Sequence, residues 1–272
     1  MAGRILLGTQ SWSFRSWCGP FYPEEIRSSE MLGFYGMVFA TLEVDATFYG
    51  IPAEPVLQAW RGAVPPGFRF ALKVPQQVTH DSRLVGADEV LERFVDRVRC
   101  LEDTLGPLLI QLPPDYRPSD EHQATVERFL ARLPADVAWA IEFRHRAWST
   151  PRLLDVLGEH GVAHVLADGR WYPRETLFRL AETPTADFSY VRWMGTGPRL
   201  TDYAEPRIDR EADRAAWAPV LTGLADRVKT VYGYFNNQFE GHSPHSARAM
   251  QCLVGTVPVE PTTLHPQGDL FA

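Results

Sequence analysis

Long hydrophobic runs are missing from this chain. No apolar stretch approaches the ~20 residues that a membrane-crossing helix requires. The opening residues, MAGRILLGTQ, hold too short an apolar segment for a secretory signal. Cysteine is scarce: Cys18, Cys100 and Cys252 are an odd set of three, which excludes a disulfide framework and leads us to expect a cytoplasmic protein. Excess positive charge is also missing. With 27 Lys and Arg against 34 Asp and Glu, the net charge is −7, so a uniformly basic nucleic-acid-binding surface is excluded while a local basic face is not. No G-x-G-x-x-G follows the first apolar run, which removes the main support for dinucleotide binding. No C-x-x-C pair occurs either. The expectation is therefore a site without cofactor or metal, a divalent ion held by Asp and Glu being the alternative.

What is present is an ordinary globular composition, 45% hydrophobic and 22% charged. Short β-rich runs recur at roughly 30-residue spacing, the length of one strand-plus-helix unit. They are ILLGTQ, TLEVDA, FRFALKV, LLIQL, AWAIEF, AHVLAD, SYVRWM and TVYGYFN. Helical patterns lie between most of them: 87–106 with Gly106 as the stop, a segment opened by Ser119, one begun by Thr150-Pro151, 209–227 with a break expected at Pro219, and one begun by Ser243-Pro244. Residues 170–187 show no strong helix. The alternation predicts a parallel sheet, and eight units predict a closed barrel. The predicted fold is α/β, a single TIM-like (β/α)8 barrel over 1–255 followed by a short, mobile, proline-rich tail over 256–272.

Strand parity locates the chemistry. Alternate side chains face opposite sides of a strand, and in a barrel one set faces the axis. This rule directs Glu43, Asp45, Lys73, Gln111, Glu142, Arg144, Asp168, Arg192 and Asn236 inward at the strand ends. Barrel active sites sit at that end, and a purely structural barrel would place Val, Ile or Leu there. The alternative is an ion network that only closes the barrel. The flanking loops are rich in aromatics and Arg: SWSFRSWCGPFYP carries Trp12 and Trp17, Phe48-Tyr49 follows the second run, and GRWYPR follows the sixth.

The segments LGTQSWSF, LEVDATFYG, FRFALKVPQQVTH, LLIQLPPDY, AIEFRHRAW, SYVRWMG and YGYFNN resemble, in order and over about residues 8–249, the YecE-like family, also called domain of unknown function 72. The resemblance implies a TIM-type barrel and supplies no reaction. It draws attention to Glu43, Asp45, Thr47, Phe48 and Tyr49; to Lys73, Thr79 and His80; and to Gln111, Glu142, Arg144, His145, Arg192, Asn236 and Asn237. Asp45 stands where the family pattern usually has Asn, Met194 where it usually has His, and His245 where an Asn is common.

Two functions compete at this level. In the first, the protein is a hydrolase- or nuclease-like barrel enzyme acting on a phosphate-bearing ligand, with nucleic acid in a DNA-repair setting as one source of the phosphate. Glu43, Asp45, Glu142 and Asp168 would be the acid–base groups, and Lys73, Arg144 and Arg192 would hold phosphate. Trp12, Trp17 and Tyr49 would stack on the ligand, with His80, Gln111, Asn236 and Asn237 as further contacts. In the second, it is a non-catalytic nucleic-acid or protein-binding adaptor. The tail supports that version, because Gln267, Asp269, Leu270 and Phe271 resemble the peptide that docks on the DNA sliding clamp. A small-molecule enzyme is the third reading, since small anions need only a local cationic site.

Overall fold

A computed structural model describes residues 2–264. Eight strands alternate with helices in chain order. They are β1 (Arg4–Thr9), α1 (Met31–Val38), β2 (Thr41–Val44), α2 (Glu54–Ala63), β3 (Arg69–Lys73), α3 (Asp88–Val98), β4 (Leu105–Gln111), α4 (Asp120–Leu130) and β5 (Trp139–Glu142). Then follow α5 (Pro151–Glu159), β6 (Ala163–Asp168), α6 (Arg174–Ala181), β7 (Phe188–Trp193), α7 (Glu211–Ala225), β8 (Thr230–Phe235), the short α8 (Asn237–Glu240) and α9 (Ser243–Leu253). The strands form one parallel sheet in the order β1-β8-β7-β6-β5-β4-β3-β2. The predicted (β/α)8 barrel is the observed fold.

The seam between β1 and β2 closes the barrel, and side chains do much of the closing. Among the described residues one bridge, Gln10 with Glu43, joins the two edges, supported by Ser11 N–H donating to the Glu43 carbonyl at 2.8 Å. Tyr35, reaching in from α1, fills the gap below. Its hydroxyl accepts from Thr9 N–H at 2.9 Å and donates to the Thr41 carbonyl at 3.1 Å. Gly8 permits this approach, because a Cβ there would sit 2.2 Å from the Thr41 carbonyl oxygen.

Two apolar layers follow from the parity of the strands. The outer layer packs the strands on the helices, with Leu42, Leu72, Ile110, Ile141 and Val191 fully buried. The inner layer is small on one side and aromatic on the other: Ala71, Ala140, Ala163 and Ala167 face Phe188, Tyr190 and Tyr234. Bulky rings from β7 and β8 thus fill the axis that the alanines leave open.

Several local expectations are corrected. The helix expected over 87–106 ends at Val98, a tight turn with Glu102 at φ +48° follows, and Gly106 lies inside β4. Gly106 is required there because a Cβ would come within 2.9 Å of the Phe70 carbonyl oxygen. Pro219 does not split its helix, since α7 runs unbroken through it and is held on the barrel by Trp217, Leu221 and Leu224. A helix, α6, does form within 170–187, starting after Pro173 and burying Leu177. Of the segment expected as a tail, residues 256–264 are described: Pro261 is buried, Glu260 pairs with Arg248, and the others are exposed or half-buried. Among the described residues no helix is long and apolar enough to cross a membrane.

Replacing Tyr35 with Phe removes the hydroxyl but keeps the ring. It leaves the buried Thr9 N–H and Thr41 carbonyl short of a partner, which costs about 1–3 kcal/mol. Urea unfolding of Y35F is expected to show that loss. An unchanged midpoint would show that the seam does not depend on the hydroxyl.

Candidate functional site

The strand ends gather the ionisable groups expected from parity, in two tiers. The lower tier is built on Arg192, which is 1% exposed at the end of β7. Its Nη2 and Nε donate to the Glu43 carboxylate from β2 at 2.7 and 3.0 Å. Its Nη1 donates to Glu142 of β5 at 2.5 Å and to the Gln111 side-chain oxygen of β4 at 3.2 Å. Tyr190 donates its hydroxyl to Glu43 at 2.6 Å. Arg144 closes the group from above, giving Nε to Glu142 at 2.6 Å and Nη2 to Gln111 at 2.7 Å.

The two buried carboxylates are pushed apart in acidity. Burial pushes Glu43 above the usual carboxylate range, against the pull of Arg192. Burial opposes ionisation at Glu142 too, but Arg192 and Arg144 together outweigh it and hold the carboxyl down at about 2. Glu43 and Glu142 are both fully buried, so neither meets solvent.

Asp45 and Lys73 form a second cluster beside the first. Lys73 is 9% exposed and its Nζ lies 3.9 Å from the centre of the Phe48 ring. Its nearest carboxylate oxygen, Asp45 Oδ1, is 4.0 Å away, beyond hydrogen-bond reach. That oxygen is buried and has no hydrogen-bond partner among the described residues, although Arg192 Nη2 lies 3.7 Å off. Burial lowers the Lys73 ammonium pKa, with Asp45 opposing. His80 packs edge-on against Phe48, bonds Thr79 at 2.9 Å, and is lowered by burial and by Lys73.

At the same end of the barrel, meeting the first cluster at Arg144, lies a cavity of about 740 Å³, which neither Asp45 nor Lys73 lines. Arg144, Arg170 and Arg199 line it, together with Phe14, Trp171 and Tyr203 and the amides of Gln10, Asn236, Asn237 and Gln238. No carboxylate among the described residues lines it. Arg144 stacks on Trp171 at 4.3 Å, and Asn236 donates to Gln10 at 2.7 Å. Arg170 and Arg199 are exposed and form no ion pair among the described residues.

Other expected site residues lie elsewhere. Asp168 was expected inward with Val165 and Ala167 outward, but Val165 and Ala167 belong to the inner layer and Asp168 faces the helices. There it accepts from Trp217 Nε1 at 2.6 Å and Arg174 Nε at 3.0 Å, and Arg174 continues to Asp213 at 2.6 Å. Trp17 is fully buried among Phe14, Phe21, Tyr22 and His242, so it offers no stacking face. Trp12 packs edge-on against Trp60 of α2. Tyr49 is 83% exposed, but it lines a separate hollow with Phe48, Gln76 and Gln77. Asn237, though it lines the cavity, is only 4% exposed, and its side-chain oxygen is taken by Ser243. His160 and His164 stand four apart, yet one follows α5 and the other lies in β6, and no metal-ligand cluster occurs among the described residues. Gln267, Asp269, Leu270 and Phe271 lie outside the described residues. Sequence reasoning missed Gln10, Tyr190, Arg199, Tyr203 and Gln238. The first two continue the inward parity of β1 and β7, whereas Arg199 lies in a loop that carries no periodic signal.

The depressed pKa of Glu142 has a measurable consequence. Its stabilisation is complete above its ordinary value of 4.5 and drains as pH falls toward about 2. Glu43, shifted upward, contributes with the opposite sign. Removing the Glu142 charge as E142Q is expected to make the acid limb of a thermal-stability profile shallower over that window. Parallel profiles for wild type and variant would contradict the ion-pair assignment.

The comparisons with known proteins agree with this architecture. A crystal structure of a DUF72 family protein from Thermotoga maritima superposes with a TM-score of 0.77 at 26% identity, covering 91% of this chain and 97% of that one. A second, from Enterococcus faecalis, has a TM-score of 0.72 at 21% identity, covers 93% and 98%, and bears on the fold alone. The chain is 25% identical to the UPF0759 protein YunF of Bacillus subtilis, over 98% of this chain and 100% of that protein. It is 27% identical to the UPF0759 protein YecE of Escherichia coli over 61% of this chain, a match that spans only 60% of that relative's length. The model of the family described as protein of unknown function DUF72 matches residues 6–268, and with nearly the whole chain covered the protein belongs to that family.

Proposed function

We propose that the barrel mouth binds a small phosphate-bearing ligand and that the protein is an enzyme acting on it. The observation that supports this reading best is the lining of the mouth cavity: three Arg side chains and no carboxylate among the described residues, in a chain whose net charge is −7. A negative protein with a locally cationic hollow is suited to a small anion. Guanidinium groups match phosphate oxygens in paired hydrogen bonds. The volume of about 740 Å³ falls within the roughly 300–1,000 Å³ typical of small-molecule sites. Phe14, Trp171 and Tyr203 would flank the apolar or ring portion of the ligand, and the amides of Gln10, Asn236 and Gln238 would orient its hydroxyl or carbonyl groups.

The division of labour follows from exposure. Glu43 and Glu142 are sealed from solvent, so in this reading they are positioning residues that hold Arg192 and Arg144. Asp45 and Lys73 carry the unfilled hydrogen-bonding capacity and are assigned the acid–base work. Asp168 and Trp17 take no part.

Inorganic phosphate is the simplest probe. Calorimetric titration is expected to show binding that weakens as salt rises. Replacing Arg199 with Ala is expected to weaken it about tenfold without altering stability, the loss of roughly one charge-assisted contact. Equal binding by wild type and R199A would remove the cavity from the reading. A short single-stranded oligonucleotide that binds tightly and is not displaced by phosphate would favour the nucleic-acid alternative over a small ligand.

A further inference from the structure

The chain has 27 basic side chains, and only Lys73 and Lys229 among them are lysines; the other 25 are arginines. Lys229 lies exposed at the opposite end of the barrel, just before β8, and pairs with Asp187 at 2.7 Å. Lys73 is the buried one, at the mouth, on β3. Where a cation is held in close ion pairs at or near the core, as at positions 144, 174, 192 and 214, this sequence uses Arg. A guanidinium does not lose its proton in proteins, whereas a lysine does so readily when buried. The geometry around Lys73 is that of an amine left free to react. No hydrogen bond from its Nζ is formed among the described residues, one side is covered by the Phe48 ring, and Asp45 Oδ1 faces it across 4.0 Å, itself unbonded. The two complementary polar atoms stand just beyond hydrogen-bond distance of one another, and each keeps capacity to bond another group.

We propose that Lys73 is a nucleophilic amine that forms an imine with the carbonyl carbon of an aldehyde or ketone, the phosphate of the same molecule resting on the Arg-lined mouth. This rests on the phosphate-binding reading above and names its substrate class. The Lys73 ammonium gives one proton to Asp45, and the freed lone pair attacks the carbonyl carbon. A second proton passes from nitrogen to the former carbonyl oxygen. Asp45 returns its proton to that oxygen, the C–O bond breaks with its electron pair, and water leaves. The nitrogen lone pair forms the C=N bond, so one water is released and nothing is oxidised or reduced. Burial of Lys73 favours the first step by raising the neutral fraction of the amine near pH 7. Arg192, Arg144, Glu142 and His80 are the other charged or titratable groups that bear on it.

The test uses pyridoxal phosphate, which carries both an aldehyde and a phosphate, followed by borohydride reduction of any imine to a stable amine. Peptide mapping then reads two lysines in one experiment, with Lys229 as the internal reference. Lys73 is expected to be labelled at least about tenfold faster than Lys229 near neutral pH, and excess inorganic phosphate is expected to slow Lys73 alone. In K73R the mouth label is expected to vanish while phosphate binding by calorimetry stays. Labelling confined to Lys229, with phosphate still bound at the mouth, would overturn the nucleophile and leave the phosphate reading standing. Fast labelling of Lys73 that phosphate does not slow would keep the reactive amine and overturn the shared phosphate site.

Discussion

A single buried guanidinium organises this barrel. Arg192 leaves β7 and reaches β2, β4 and β5 through Glu43, Gln111 and Glu142. Taking such a charge out of water costs several kcal/mol, and only close, well-directed partners repay it. Here the partners come from strands on both sides of the axis. The bonds that compensate the charge are therefore also the bonds that set where those strand ends stand. The aromatic half of the inner layer supports the arrangement, because Tyr190 lies there and donates its hydroxyl to Glu43.

The mouth inherits its character from that clamp. Glu43 and Glu142 spend their charge on Arg192 and Arg144 and stay sealed off, so the surface left facing the cavity is cationic and amide-rich. Arg144 belongs to both tiers: its Nε and Nη2 are fixed from below, and its flat face lies on Trp171 in the cavity wall. A side chain anchored in that way loses little freedom when an anion arrives. Asp45 and Lys73 differ from the clamp residues because their capacity is not filled from within the protein. They sit at the edge of the ion network rather than at its centre.

Much of this was legible in the sequence, and the reasons it stopped are physical. Parity placed Glu43, Lys73, Gln111, Glu142 and Arg192 correctly because the runs around them contrast polar with apolar side chains. It failed at Asp168 because both faces of AHVLAD are buried, so a polar side chain there need not point to the axis. Ala163, Val165 and Ala167 fit the crowded axis, while His164, Leu166 and Asp168 turn to the helices, where Trp217 and Arg174 take the carboxylate. Composition cannot say whether a loop aromatic walls a cavity or packs beneath it. Trp17 and Trp171 look alike in sequence, yet Trp17 closes over an aromatic cluster and Trp171 is held open by Arg144. Arg199 gave no signal, because its place at the mouth depends on the fold of the loop after β7. The scarcity of lysine was readable from the start but gains meaning only once Lys73 is seen to be buried.

An anion-binding mouth above the Arg192 clamp is the proposal on which the rest depends. Anomalous diffraction from crystals soaked in tungstate, a phosphate-like oxyanion, tests this most directly. A peak bounded by Arg144, Arg170 and Arg199 is expected. Tungstate elsewhere on the protein, with the mouth empty, would contradict the account.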